Sequence, residues 1–167
     1  SSAASDVYKR QLLEHLTFIL ISKKYKMAEI KIAITDQDIL MCWEAIFALR
    51  PMLQPDKFVD QIKEMQKEGY VLLYIIADHK VVSIAGYRIY SMLYCGKMLY
   101  IDDLSTLESV RGKGYASTLL KHIYEIAAKN ECKSVHLDSG HVRTTAHKLY
   151  LKEDFIISAF HFSKLIT

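Results

Sequence analysis

Arg111-Gly112-Lys113-Gly114-Tyr115-Ala116 is the stretch on which the reading of this chain turns. Its two glycines, one residue apart, let the backbone turn tightly and come close to a ligand, because neither carries a Cβ. Directly after them Ala116, Leu119, Leu120, Ile123 and Ala127 fall at helical spacing, and residues 98–107 before them read as a strand. A loop between strand and helix brings unpaired backbone N–H groups and the positive end of a helix to one point, which suits phosphate oxygens. Arg111 and Lys113 add positive charge beside it.

Two common glycine loops do not fit. A Walker A loop needs Lys and Ser/Thr after its last glycine, and here Tyr115 follows Gly114. A dinucleotide fingerprint needs a third glycine or alanine where Ser117 stands.

Outward from the loop, the chain divides into short elements. Ile30, Ile32 and Ile34 alternate with Lys31 and Ala33, which predicts a half-buried strand. Thr35 and Asp38 can form a capping box for a first helix with Ile39, Trp43, Ile46 and Phe47 on one face, closed by Pro51. Pro55 and Asp56 open a second helix, which turns Phe58, Val59, Ile62 and Met65 inward and stops at Gly69. Residues 70–77 are an apolar run fit for a central strand, Asp78-His79-Lys80 a polar turn, and residues 81–90 the returning strand of a hairpin. After a turn near Cys95-Gly96 come the strand 98–107, the loop, a helix to about Asn130, a strand 134–138, a helix 143–152 and a last strand 155–164.

The loop also fits the pattern Arg/Gln-x-x-Gly-x-Gly/Ala. Residues 98–110 (MLYIDDLSTLESV), 134–138 (SVHLD) and 143–155 (RTTAHKLYLKEDF) continue the match. Together they resemble the GNAT N-acetyltransferase superfamily over roughly residues 28–167. The resemblance implies an α/β fold, a mixed central sheet flanked by helices. It implies N-acetyl transfer from acetyl-CoA, used as cosubstrate, to a small-molecule amine or a peptide or protein amine. It also implies that Arg111, Gly112, Lys113, Gly114, Tyr115, Ala116 and Ser117 hold the coenzyme A pyrophosphate. The strand carrying Leu104, Ser105 and Thr106 would pair with the pantetheine arm.

With 167 residues, 51% of them hydrophobic and 25% charged, the chain reads as one globular domain over residues 28–167. A formal net charge of +3 with no long basic run argues against nucleic acid as a partner. The apolar LLEHLTFILIS near the N-terminus is too short to span a bilayer, so no membrane role is expected. Residues 1–26 look extraneous or appended, with Met27 the expected natural start. Three scattered cysteines, Cys42, Cys95 and Cys132, suggest a reducing, cytoplasmic setting without disulfides. Homodimers are common among proteins of the resembled family, so a homodimer is an expected assembly.

Acetyl transfer to an amine needs an oriented thioester, an amine stripped of its proton, and a proton for the departing thiolate. A free lysine-type amine has a pKa of about 10.4. Tyr150 shares a helix face with Ala146 and Leu149, where the resembled family keeps its general acid, and a phenol with pKa about 10 can protonate a thiolate. For the base, Asp102 and Asp103 lie side by side within an apolar strand, one expected on each face. Carboxylates there are costly unless partnered or reached by solvent, which suggests a place in the cleft, with Asp103 preferred. Tyr87, Tyr90, Tyr94 and Tyr100 are candidates for the acceptor wall, since aromatic faces attract cations. His136, Asp138, His141 and His147 cluster in sequence but fit no recognised metal spacing, so no metal is expected. Two positions depart from the family pattern: Arg143 stands for Asn, and Asp154 for the glycine before the last strand, where Asp tolerates a left-handed backbone. A non-catalytic acyl-CoA sensor of the same fold is the alternative function.

Overall fold

The computed structural model describes residues 29–166, so the expectations for residues 1–26 and Met27 lie outside the described residues. Its elements are β1 (Ile30–Ile32), α1 (Asp36–Met41), α2 (Trp43–Phe47), α3 (Phe58–Lys67), β2 (Val71–Ala77), β3 (Lys80–Met92), β4 (Gly96–Thr106), α4 (Tyr115–Lys129), β5 (Ser134–Leu137) and α5 (Thr144–Lys152). A single 3-10 turn, Glu108–Val110, leads from β4 to the glycine loop. The five strands form one sheet in chain order, antiparallel throughout except for the parallel pair β4–β5. This is the mixed α/β arrangement expected from the sequence.

Each face of the sheet carries its own core. On one face Tyr70, Leu72, Tyr74 and Ile84 pack under α1–α3 through Ile39, Cys42, Phe58 and Ile62. On the other, Leu73, Ala85, Leu99 and Ile101 meet the α4 stripe of Leu119, Leu120, Ile123 and Ala127. Full burial of a leucine or isoleucine side chain contributes about 1.5–3 kcal/mol. That stripe therefore fixes α4, and with it the glycine loop, to the sheet. The β2–β3 turn bends through Asp78 (φ 50°) and His79 (φ 63°), the left-handed pair a two-residue hairpin requires.

In its secondary-structure elements, the sequence reading differs from the structure in four places. The first helix is interrupted at Cys42 into α1 and α2. Its inner face is Ile39, Cys42, Ala45 and Ile46, while Phe47 is largely exposed. The second begins at Phe58, because Pro55 to Lys57 form a turn. Ile32 and Ile34 face solvent and Ala33 is fully buried. There the chain leaves the sheet edge: the Ala33 amide donates to the Leu72 carbonyl (2.8 Å) and its carbonyl accepts from Gln66 Nε2 (2.8 Å).

The fourth difference is the last strand. Residues 155–164 form no strand. The Phe155 amide closes the end of α5 on the Tyr150 carbonyl (3.0 Å), and Asp154 adopts the left-handed conformation (φ 62°) expected of it. Beyond that point apolar side chains occur on both alternating sets, Ile156 and Phe160 on one and Phe155 and Ile157 on the other. Neither face is clearly the buried one, so the pattern does not specify a register. Among the described residues no helix is long and apolar enough to cross a membrane.

The α1 cap is a reciprocal pair. Asp38 N–H donates to Thr35 Oγ1 (3.2 Å), and Thr35 N–H donates to Asp38 Oδ2 (2.8 Å). The Thr35 amide and its hydroxyl, which donates to the same Asp38 Oδ2 (2.7 Å), helped by the Tyr74 hydroxyl at 2.9 Å, hold the Asp38 carboxyl down at about 2. Thr35→Ala is expected to cost about 1 kcal/mol in urea unfolding at neutral pH. The deficit relative to wild type should shrink as the pH falls below 3.8 toward 2, where Asp38 takes up its proton. A pH-independent difference would contradict this account.

Candidate active site

Strands β4 and β5 pair only from Met98–Ser134 to Ile101–Leu137. Strand β4 runs on to Thr106 against β3, while β5 has ended. The far edge of residues 102–106 is therefore a row of backbone groups facing a gap in the sheet. Such groups need partners, and an extended ligand arm can supply them as an added strand would. Alternation turns the backbone groups of Leu104 and Thr106 to this edge, whereas Ser105, two residues before the Leu107 amide that bonds the Val82 carbonyl, faces β3, so the pairing expected of Ser105 is not available. On the β3 side, Ser83 Oγ donates to the Ser105 carbonyl (2.9 Å) and shares a hydrogen with Thr106 Oγ1 (2.8 Å), which holds the strand straight. Ser139 Oγ, just past the end of β5, is buried without a hydrogen-bond partner among the described residues.

Gly112 (φ 79°) and Gly114 (φ 86°) are both left-handed, and Gly114 is the N-cap of α4. A Cβ built on either meets nothing within 4 Å, so the space over the loop is open. The first loop-to-helix bond runs from Thr118 N–H to the Gly114 carbonyl (2.9 Å). Among the described residues the amides of Gly112 to Ser117 have no loop or cap acceptor. Tyr115, Ala116 and Ser117 form the first turn of α4, and Lys113 is exposed. Arg111 turns back, with Nε 3.3 Å from the Thr106 carbonyl and Nη1 3.8 Å from Glu108. The residues present suit a diphosphate: free amides, a helix start and flanking cations.

On the α1–α3 side of the sheet, next to the end of the β4–β5 pairing, is a cleft of about 1460 Å³. Asp102, Asp103 and Tyr150 all border it. The two aspartates do not point to opposite faces. A bulge in the β3–β4 ladder pairs Gly86 with Asp103 and Tyr87 with Ile101, which leaves Asp102 as the extra residue. The alternation slips by one there, so both carboxylates reach the same side. Asp103 Oδ1 accepts from Arg50 Nε (2.9 Å) and its Oδ2 from the Tyr70 hydroxyl (3.0 Å). Asp102 Oδ2 accepts from Arg88 Nε (3.2 Å), and its Oδ1 has no partner among the described residues. Burial pushes the Asp102 carboxyl above its ordinary value, and Arg88 opposes the shift.

Tyr150 is brought to the cleft from α5, its ring edge-on to Phe155 at 5.8 Å. Burial raises its phenol above the usual value, with Arg143 pulling weakly the other way, so it is protonated at neutral pH. Arg143 itself donates to the Leu49 carbonyl (3.3 Å) and tethers the start of α5 to the end of α2. Tyr90, Tyr94 and Tyr100 border the cleft, with Tyr90 and Tyr100 6.3 Å apart. Tyr100 stays protonated, through burial first and its bond to Asp138 second. Tyr87 does not belong to the acceptor wall: β3 alternates without a break here, so Tyr87 is buried on the opposite face with Ala85 and Ile89, three residues out of step with Tyr90. His136, His141 and His147 also border the cleft, yet among the described residues no three His, Cys, Asp or Glu converge.

Arg50 and Tyr70 were not singled out in the sequence. One signal pointed to them: Gly86 interrupts an apolar strand, which marks a bulge or a close approach. Both are present here.

A parted parallel strand pair, with an amide-rich loop at one end and acid and base candidates at the other, defines a coenzyme A-dependent acyltransferase class of site. Residues 38–155 match the Acetyltransferase (GNAT) family. The uncharacterised N-acetyltransferase YhdJ of Bacillus subtilis (strain 168) is 30% identical over 118 residues, covering 70% of this chain and 83% of its own. In fold, the chain is similar to aminoglycoside N-acetyltransferase AAC(6')-Iy in complex with CoA (TM-score 0.71, 16% identity, 85% of this chain and 97% of that one). It is likewise similar to glucosamine-6-phosphate N-acetyltransferase from Arabidopsis thaliana (TM-score 0.67, 19% identity, 83% and 99%). The chain belongs to the GNAT acetyltransferase family and is an acetyl-CoA-dependent acyltransferase.

The Arg88–Asp102 pair makes a pH prediction. Arg88 favours the ionised carboxylate, so Arg88→Ala makes Asp102 hold its proton to higher pH. The acid limb of the kcat/KM profile should move upward in the variant. An unmoved limb would separate Asp102 from the titration that controls activity.

Proposed function

We propose that this enzyme acetylates a primary amine by direct attack within a ternary complex, with no covalent enzyme intermediate. The observation that carries the proposal is the free β4 edge at residues 102–106, which leads from the phosphate-binding loop into the cleft bordered by Asp102 and Tyr150. In this reading the amides of residues 112–117, with Arg111 and Lys113, grip the pyrophosphate, and the outward backbone groups of Leu104 and Thr106 pair with the pantetheine arm.

The amine enters the cleft as an ammonium, drawn by the carboxylates and the faces of Tyr90 and Tyr100. Asp102, with one free oxygen and a raised pKa, takes its proton directly or through water. Asp103, preferred from the sequence, has both oxygens engaged and supports Asp102 rather than receiving the proton. The neutral amine attacks the thioester carbon. The C–S bond breaks, the sulfur takes the Tyr150 proton as it leaves, and the proton shed by the acylated nitrogen returns through water to the Tyr150 phenolate. Acceptors such as an aminoglycoside, an amino sugar phosphate, an aliphatic diamine or a peptide with a free N-terminus all present the required amine.

Three experiments test the reading. With a panel of those four amines, thiol release from acetyl-CoA is expected for at least one. Binding of coenzyme A without thiol release for any would favour the acyl-CoA sensor instead. Tyr150→Phe is expected to lower kcat by about a hundredfold while calorimetry shows coenzyme A affinity within about twofold of wild type. Equal turnover in the variant would remove Tyr150 from the reaction. At the loop, Gly112→Ala should relax out of the left-handed conformation, which costs a non-glycine residue roughly 1–2 kcal/mol. Binding must restore that conformation, so coenzyme A affinity should fall by about tenfold; unchanged affinity would place the diphosphate elsewhere.

A further inference from the structure

We infer that Tyr70, seated in the gap left by Gly86, is a positioning residue that holds the β4 bulge in the shape which presents Asp102 to the acceptor amine. The inference rests on the reading that Asp102 receives the amine's proton.

Tyr70 follows Gly69, whose left-handed backbone (φ 87°) ends α3 and turns the chain into β2. The turn closes with the Tyr70 amide on the Met65 carbonyl (3.0 Å), so the Tyr70 backbone is fixed. The side chain is only 2% exposed. It crosses the face of β3 at Gly86, where a Cβ would lie 1.9 Å from the Tyr70 hydroxyl oxygen and 2.3 Å from Cζ. No residue but glycine leaves room for this ring. The hydroxyl then donates to Asp103 Oδ2 (3.0 Å). Burial first, and the Asp103 carboxylate second, hold the phenol proton in place, so Tyr70 acts as a donor.

Gly86 is the Cα partner of Asp103 in the ladder, beside the bulge. Tyr70 therefore fastens the bulged strand to its neighbour through a side chain, at the point where the ladder is interrupted. Arg50 completes the fastening from α2's end: Nε donates to Asp103 Oδ1 (2.9 Å) and Nη2 to the Asp102 carbonyl (3.0 Å). Arg88, the partner of Asp102, lies over the Tyr70 ring at 5.7 Å. Tyr70 thus touches both the support of Asp103 and the cation that faces Asp102. Asp102 keeps an oxygen without a partner among the described residues at the cleft, whereas the Tyr70 hydroxyl is spent on Asp103, so Tyr70 acts through its neighbours.

The test uses the full chain as Tyr70→Phe, Gly86→Ala and Asp102→Asn. Hydrogen exchange reads the backbone directly. Tyr70→Phe and Gly86→Ala are both expected to speed exchange at the amides of residues 102–104 by about tenfold, with the amides of α4 unchanged. In steady-state kinetics with acetyl-CoA and the amine turned over fastest in the four-amine panel, both variants should lose about tenfold in kcat/KM for the amine. KM for acetyl-CoA should stay within twofold. A lowered melting temperature with unaltered exchange at 102–104 and unaltered kcat/KM would make Tyr70 a mere core residue and overturn the inference. Undiminished activity in Asp102→Asn would instead fault the underlying reading of the base, and exchange at 102–104 would still decide whether Tyr70 holds the bulge.

Discussion

The parting of β4 from β5 after the Ile101–Leu137 pair is the constraint on which the rest of the molecule depends. Backbone amides and carbonyls in a sheet must be satisfied somewhere. Here one strand runs on for five residues after its neighbour has stopped, and the groups exposed by that mismatch are what the proposed function assigns to the ligand arm. Every other device serves the gap. The α4 stripe anchors the loop at one end of it, and α5 brings Tyr150 to the other. Strand β3 keeps the free portion of β4 extended from behind, through Ser83.

The bulge at Asp102 is the second shaping event, and it concerns charge. Two adjacent carboxylates on one side of a strand repel each other and resist burial. Each therefore has its own arginine, Arg88 for Asp102 and Arg50 for Asp103. The two pairs are not equivalent. The Asp103 side chain is 11% exposed and fully bonded, whereas Asp102 is 26% exposed and keeps an open oxygen. One pair is closed, and the other leaves an oxygen open to the cleft.

The loop and the hairpin were legible in the sequence because their chemistry is local. Gly112 and Gly114 must adopt left-handed backbone, Asp78 and His79 can, and the α4 stripe needs only a period. The Thr35–Asp38 cap was legible for the same reason. What was not legible depends on parity or on distance along the chain. An alternating pattern assigns Asp102 and Asp103 to opposite faces, and one extra residue in β4 reverses that for Asp103. Arg50 lies 53 residues from Asp103 and Tyr70 33, so no window of sequence joins them. The tail from Ile156 onward was read as a strand for its apolar content, yet content without alternation does not choose a partner.

That same tail has a consequence for how such an enzyme can diversify. Phe155 to His161 border the cleft without belonging to the sheet ladder, and the turn carrying Tyr94 and the residues after α2 also lie outside it. The strand proposed to carry the thioester is thus hydrogen-bonded framework, while much of the wall opposite is built from segments outside the ladder. Substitutions in the wall can retune which amine is welcome with little penalty to folding. Innovation in one half of the reaction is thereby uncoupled from inheritance of the other.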